Sequence, residues 1–257
     1  MNTINVLTLR KIFFLLILLS GVFSYSQSNT NKIKFDHTDD QMRMYFEENK
    51  DAKKEHDQLL EKLKVAERSG ANHSKLKKSY VIPVVVHVFG TVFNSGTKVT
   101  NEIVEEALRL TDEDFQGLNA DYSTIDAPFA AIKQPLDISF KLAKLDPNGN
   151  PTTGVVYHPE ASGMGNYGDT NVPRGAWDNY KYCNIYITRD LYADGDYYNS
   201  GVSWYPDVNM SNQNLARVTY NGSYLGRNTD ENFRSILTHE LGHYLDLPHT
   251  FDKGICN

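Results

Sequence analysis

The residues best equipped for chemistry lie in one short stretch, His239-Glu240-Leu241-Gly242-His243-Tyr244-Leu245-Asp246-Leu247-Pro248-His249. Helical residues four apart share a face, so His239 and His243 can present two imidazoles to one ion. Neutral imidazole nitrogens suit Zn²⁺, and three protein ligands leave a fourth position open to water. His249 can supply the third nitrogen only if the helix ends after His243 and the chain turns back. Asp246 stands where a helix-ending residue in the left-handed conformation is needed, a role usually given to glycine. Aspartate tolerates that conformation at about 1 kcal/mol, and Pro248 keeps the helix from resuming.

Glu240 falls between the two helical histidines, where its charge would be costly to bury without a function. Facing the open position, its carboxylate can take a proton from zinc-bound water and later deliver it to a leaving amine. That is hydrolysis of an amide without a covalent intermediate. The remaining histidines read as structural: His37, His56 and His73 in a polar arm, His87 in a strand, and His158 beside Pro159 in a loop.

These ligands need a helix beneath them and a sheet to hold it. Residues 233–247 place Phe233, Ile236, Leu237, Leu241, Tyr244 and Leu245 at steps of three and four, the period of an amphipathic helix. YVIPVVVHVFG, from Tyr80, is a continuous β-branched run of the kind found in buried strands. Thr100 caps a second helix that carries Ile103, Val104, Ala107, Leu108 and Leu110. LDISFKLAKLD (136–146), YCNIYIT (182–188) and NLARVTY (214–220) read as further strands, so the fold class is α+β with an α/β-like sheet.

The N-terminal part differs. Residues 1–26 have the layout of a secretory signal peptide: Arg10 and Lys11, then eight unbroken apolar residues, Ile12 to Leu19, then small residues. Eight residues fall short of the roughly 20 that span a bilayer, so no stable membrane anchor is expected once the signal is removed. Residues 27–79 are polar and charged, with helical spacing at Met42, Tyr45, Phe46, Leu59, Leu60 and Leu63 and a capping box at Thr38-Asp39-Asp40-Gln41. A flexible stretch, SGANHSKLKK, follows. The net charge of −6 argues against nucleic acid as a partner. With only Cys183 and Cys256, disulfides cannot be the main staple; the two could pair with each other, or Cys256 lacks its partner here.

With these residues in place, the chain resembles the metzincin clan of zinc metallopeptidases and, within it, the pappalysin family, most closely its bacterial secreted members. The family pattern HExxHxxGxxH followed by Thr-Phe stands here as HELGHYLDLPHTF, with Asp246 as its one departure. IPVVVHVFG, LNADY, ISFKLAKLDPNGNPTTGV and NIYIT agree as well, so the resemblance covers roughly residues 34 to 256. It implies a zincin fold: a twisted mixed sheet, a backing helix and an active-site helix, with peptide lying along an antiparallel edge strand that NLARVTY would supply. It implies His239, His243 and His249 as ligands of one catalytic Zn²⁺, Glu240 as general base, and a secreted endopeptidase acting on proteins or peptides.

Residues 27–79 then read as a propeptide ahead of a catalytic domain at 80–257. Family prosegments keep the enzyme latent by placing a side chain on the zinc, often a cysteine followed shortly by threonine. KFDHTDDQMRMYFEEN has Asp36 in that place, and no cysteine precedes Cys183, so Asp36 is the expected latency ligand of a zymogen. In the family, the polypeptide after the third histidine builds a methionine-containing turn, the specificity pocket and the partner of the Cys256 counterpart. Only TFDKGICN follows His249, so the C-terminal subdomain is expected to be largely missing, and cleavage specificity and any Ca²⁺ site are not written in these residues. The alternative function is a truncated, weakly active or inactive product that holds zinc or peptide without the methionine turn.

Overall fold

The computed structural model describes residues 36–68, 79–93, 96, 98–225 and 236–249. The signal peptide, the stretch 69–78, Phe233 and Cys256 lie outside the described residues. No described helix is long and apolar enough to cross a membrane.

Helices α1 (Thr38–Glu48) and α2 (Lys50–Arg68) come first. Strand β1 (Tyr80–Phe89) and helix α3 (Asn101–Phe115) follow, then a short helix α4 (Ala127–Ala130), β2 (Ile138–Leu142) and β3 (Val155–His158). Helix α5 (Val172–Gly175), β4 (Cys183–Thr188), β5 (Gly201–Trp204), α6 (Val208–Asn212), β6 (Arg217–Asn221) and α7 (Ile236–Tyr244) complete the order. The fold is α+β around one twisted mixed sheet, as the sequence implied.

The sheet runs β2-β1-β4-β6-β5, with β3 also on β1. All pairings are parallel except β5 with β6. A parallel sheet needs cover on both faces, and the β-branched run in β1 supplies it in alternation. Val84, Val86 and Val88 join Ile185, Ile187, Val218 and Tyr220 in a core with Val104 and Leu108 of α3 and Leu237, Leu241 and Tyr244 of α7. On the opposite face Phe89 and Tyr186 pack with Met164 and Val172. Cys183 is a buried free thiol. Met42 and Tyr45 of α1 are each 2% exposed in the first core, a burial worth roughly 1.5–3 kcal/mol per large apolar side chain.

Two expectations change. NLARVTY is not the edge: β6 lies inside the sheet between β4 and β5, and the antiparallel edge strand is Gly201–Trp204. Within β6 the Arg217 guanidinium is fully buried and donates to the carbonyls of Met164, Leu215 and Asn166 at 2.6–2.8 Å. The capping box also fails. His37 holds the N-cap position without a side-chain bond, and Thr38 begins the helix with its hydroxyl committed elsewhere. By contrast, Thr100 does cap α3, accepting from Ile103 N at 3.4 Å.

Candidate metal centre

Helix α7 packs against β5, β6 and α3, and this fixes the face it shows to the cleft. His239 and His243, one turn apart, bring their Nε2 atoms to 3.0 Å. The helix then closes as a Schellman turn: Leu247 N donates to Gly242 O and Asp246 N to His243 O, at 3.2 and 2.8 Å, with Asp246 at φ 68°. That turn brings His249 back over the helix end, its Nε2 3.2 Å from those of both His239 and His243.

The N-terminal arm supplies a fourth donor. Asp36 Oδ2 lies 2.8 Å from His243 Nε2 and 3.3 Å from His239 and His249 Nε2. Its other oxygen accepts from Thr38 N at 2.7 Å and Thr38 Oγ1 at 2.6 Å, which aims Oδ2 at the histidines. Burial works against the Asp36 charge, but hydrogen bonds from His239 and His243, the charge of His243 and Thr38 together hold its pKa well below the usual carboxylate range.

These donors fit a tetrahedral cation. Edges of 2.8–3.3 Å place the centre of a tetrahedron roughly 2 Å from each corner, the distance at which Zn²⁺ binds imidazole nitrogen and carboxylate oxygen. Three Nε2 atoms so close cannot each carry a proton into the same space, whereas a cation lets all three lone pairs point inward. The outer nitrogens are engaged: His243 Nδ1 donates to Leu247 O at 2.6 Å, and His249 Nδ1 meets Asp39 Oδ2 at 2.5 Å. Such contacts fix the tautomer that leaves Nε2 free to bind metal. The His239 side chain is 44% exposed and that of His243 4%, so the cleft opens on the His239 side.

Glu240 is fully buried beside this cluster. Its Oε1 has no hydrogen-bond partner among the described residues, and Ser203 Oγ lies 2.6 Å from its carbonyl and 3.2 Å from Oε2. A Cβ on Gly201 would fall 2.4 Å from Oε1, so only glycine leaves room for the carboxylate there. Burial, and next the Asp36 carboxylate, push the Glu240 pKa well above its ordinary value, against a lowering contribution from Ser203. A cation among the imidazoles would act in the opposite direction.

The structure thus brings together His239, His243, His249 and Asp36, with Glu240 alongside. Sequence reasoning missed Gly201, Ser203, Asp39 and Tyr192. The Tyr192 hydroxyl is buried without a hydrogen-bond partner among the described residues; burial first, then the nearby Asp36 and Glu240 carboxylates, push its pKa up. Only spacing could have pointed to Asp39, three residues beyond Asp36. The other three sit in loop-like sequence that carries no signal of its own.

Residues 166–257 match the peptidase M43 family model described as pregnancy-associated plasma protein-A. No curated protein matches the chain. Among solved structures, mature mirolysin of Tannerella forsythia in complex with a cleaved peptide aligns with a TM-score of 0.58 at 26% identity, covering 71% of this chain and 69% of that one. Mirolysin in complex with a small compound aligns at 0.57 and 28%, covering 69% and 67%. A promirolysin variant of T. forsythia aligns at 0.55 and 25%, covering 68% and 58%.

Proposed function

We propose that this chain, a metallopeptidase of the pappalysin family, is a secreted zinc endopeptidase in its latent form, with Glu240 as general base and Asp36 as the group that blocks the metal. The observation that carries the reading is the convergence of three imidazole nitrogens and one carboxylate oxygen on a single point, with the unpartnered Oε1 of Glu240 beside it. His239, His243 and His249 would hold the ion. A zinc bound there supplies a Lewis acid that acidifies water and polarises a carbonyl.

The rest falls to the chain's own residues. Glu240, pressed against Gly201 and steadied by Ser203, is positioned to take the proton of the attacking water and pass it to the leaving amine. Peptide would add along β5 through main-chain hydrogen bonds. In the structure Ser203 N donates to Thr38 Oγ1 at 2.9 Å, so the arm covers both the edge strand and the histidines. That double cover is what a latent form requires. The peptide-bound mature mirolysin and the promirolysin relative support peptide substrates and a zymogen. The signal-like residues 1–26 support export.

The test uses an unstructured protein substrate and the zinc-loaded Asp36→Ala chain, with the uncleaved natural sequence as reference. Asp36→Ala is expected to cleave where the reference does not. Adding Glu240→Gln is expected to reduce turnover by about 10²–10⁴-fold, the usual share of general acid–base catalysis, while one zinc per chain remains bound. Zinc binding by Asp36→Ala without turnover would overturn the catalytic reading in favour of a zinc-holding binding protein.

A further inference from the structure

Asp246, the one departure from the family's zinc motif, holds a left-handed backbone that glycine would adopt with less strain. The structure gives its carboxylate a distant partner. His56 of α2 places Nδ1 2.9 Å from Asp246 Oδ1, and each side chain is 16% exposed. Neither oxygen of Asp246 accepts a directed hydrogen bond from a described residue, and the His56 imidazole is the basic group the structure places against it. The ring of His56 stacks on Tyr205 at 5.9 Å and 29°, and packs against Phe46 of α1 at 5.0 Å.

Among the described residues, helix α2 buries little apolar surface. Ala52 is its one fully buried apolar residue among those described, while Leu59, Leu63 and Val65 are exposed. Glu55 accepts from Val208 N at 3.3 Å, in an exposed position. In a helix this polar, the ring packing and charge proximity at His56 therefore weigh heavily in keeping it docked.

We propose that Asp246 and Tyr205 form a docking seat for the N-terminal arm, fitted to a planar side chain that can carry positive charge, with His56 as its occupant. The turn that would deliver His249 to a metal is thereby held through a contact separate from those of Asp36. An aspartate in that turn trades backbone ease for a handle on α2. The inference rests on the latent-peptidase reading only in taking α1 and α2 as a segment that must eventually be released.

Amide hydrogen exchange across 50–68 in the zinc-loaded, uncleaved chain tests the seat, using Asp246→Gly, His56→Gln and the pair combined. Asp246→Gly relaxes its own turn, so faster exchange in α2 cannot be ascribed to general loss of structure. Each single substitution is expected to raise exchange in α2 by about five- to tenfold, and the double by no more than either single, because both remove one interaction. Unchanged exchange in the singles, or a double equal to their product, overturns the proposal. Exchange is read whether or not the chain hydrolyses peptide. Lost coupling alongside cleavage by the zinc-loaded Asp36→Ala chain refutes the seat alone, and intact coupling with no cleavage by that Asp36→Ala chain refutes the peptidase reading alone.

Discussion

Two groups of histidines occupy this protein, and they differ in what surrounds them. His87 and His158 meet through Nδ1 and Nε2 at 3.1 Å on the far face of the sheet, where His87 Nε2 donates to Asn184 Oδ1 at 3.2 Å. Aromatic rings enclose them: His87 stacks on Tyr186, and His158 on Phe89. Among the described residues no carboxylate pairs with either ring. Burial, aided by His158 and opposed by the hydrogen bond to Asn184, lowers the pKa of His87 to about 4. In the other group three nitrogens converge on one point, carboxylates engage both the inner and outer faces, and one ring is open to the cleft. Histidine content marks neither as a site. Convergence of lone pairs, with carboxylates to orient them, is what separates a metal centre from a packed core.

Acid should separate the two groups most strongly. The folded pKa of His87 lies below its unfolded value, so at neutral pH it costs nothing; below about 6.5 the unfolded chain takes up a proton the fold refuses, and stability falls until about pH 4. A shift of that size corresponds to about 3 kcal/mol. Urea unfolding with a chelator present, at pH 7 and pH 4, should show the natural chain losing about 3 kcal/mol more than His87→Phe. Equal losses would place the acid sensitivity elsewhere.

The metal group should respond to its carboxylates, as the core group cannot. Asp39→Asn is expected to weaken zinc binding of the uncleaved chain by about 10–100-fold in competition with a chromophoric chelator. Unchanged affinity would mean that His249 is oriented without Asp39. The smallest effect is expected at Ser203, whose hydroxyl bonds the Glu240 carbonyl. Ser203→Ala should lower stability by about 1 kcal/mol in thermal unfolding while leaving zinc content intact. Loss of zinc would instead make Ser203 part of the metal centre.

The three converging histidines were legible because a helical period and one turn determine them. His239 and His243 need only a spacing of four, and Asp246 and Pro248 announce the turn that delivers His249. Val84 to Phe89 announced a buried strand in the same way. The edge strand was not legible. GVSW is four residues long, begins with a glycine and follows a loop of Asp, Gly, Tyr and Asn, so neither length nor composition marks it as a strand. The burial of Arg217 was hidden for a related reason: it depends on carbonyls of residues 164 and 166, some fifty positions away. Thr38 looked like a cap, but its hydroxyl accepts from Ser203 N, 165 positions away, and donates to Asp36. Local chemistry was readable wherever the partners were near in sequence, and it failed where they were distant.

X-ray absorption at the zinc edge of the zinc-loaded, uncleaved chain, compared with Asp36→Ala, tests the central claim most directly. Three imidazole nitrogens and one carboxylate oxygen are expected in the natural chain, with the three imidazoles kept and the carboxylate lost in the variant. Fewer than three imidazoles, or identical spectra from the two chains, would contradict the account.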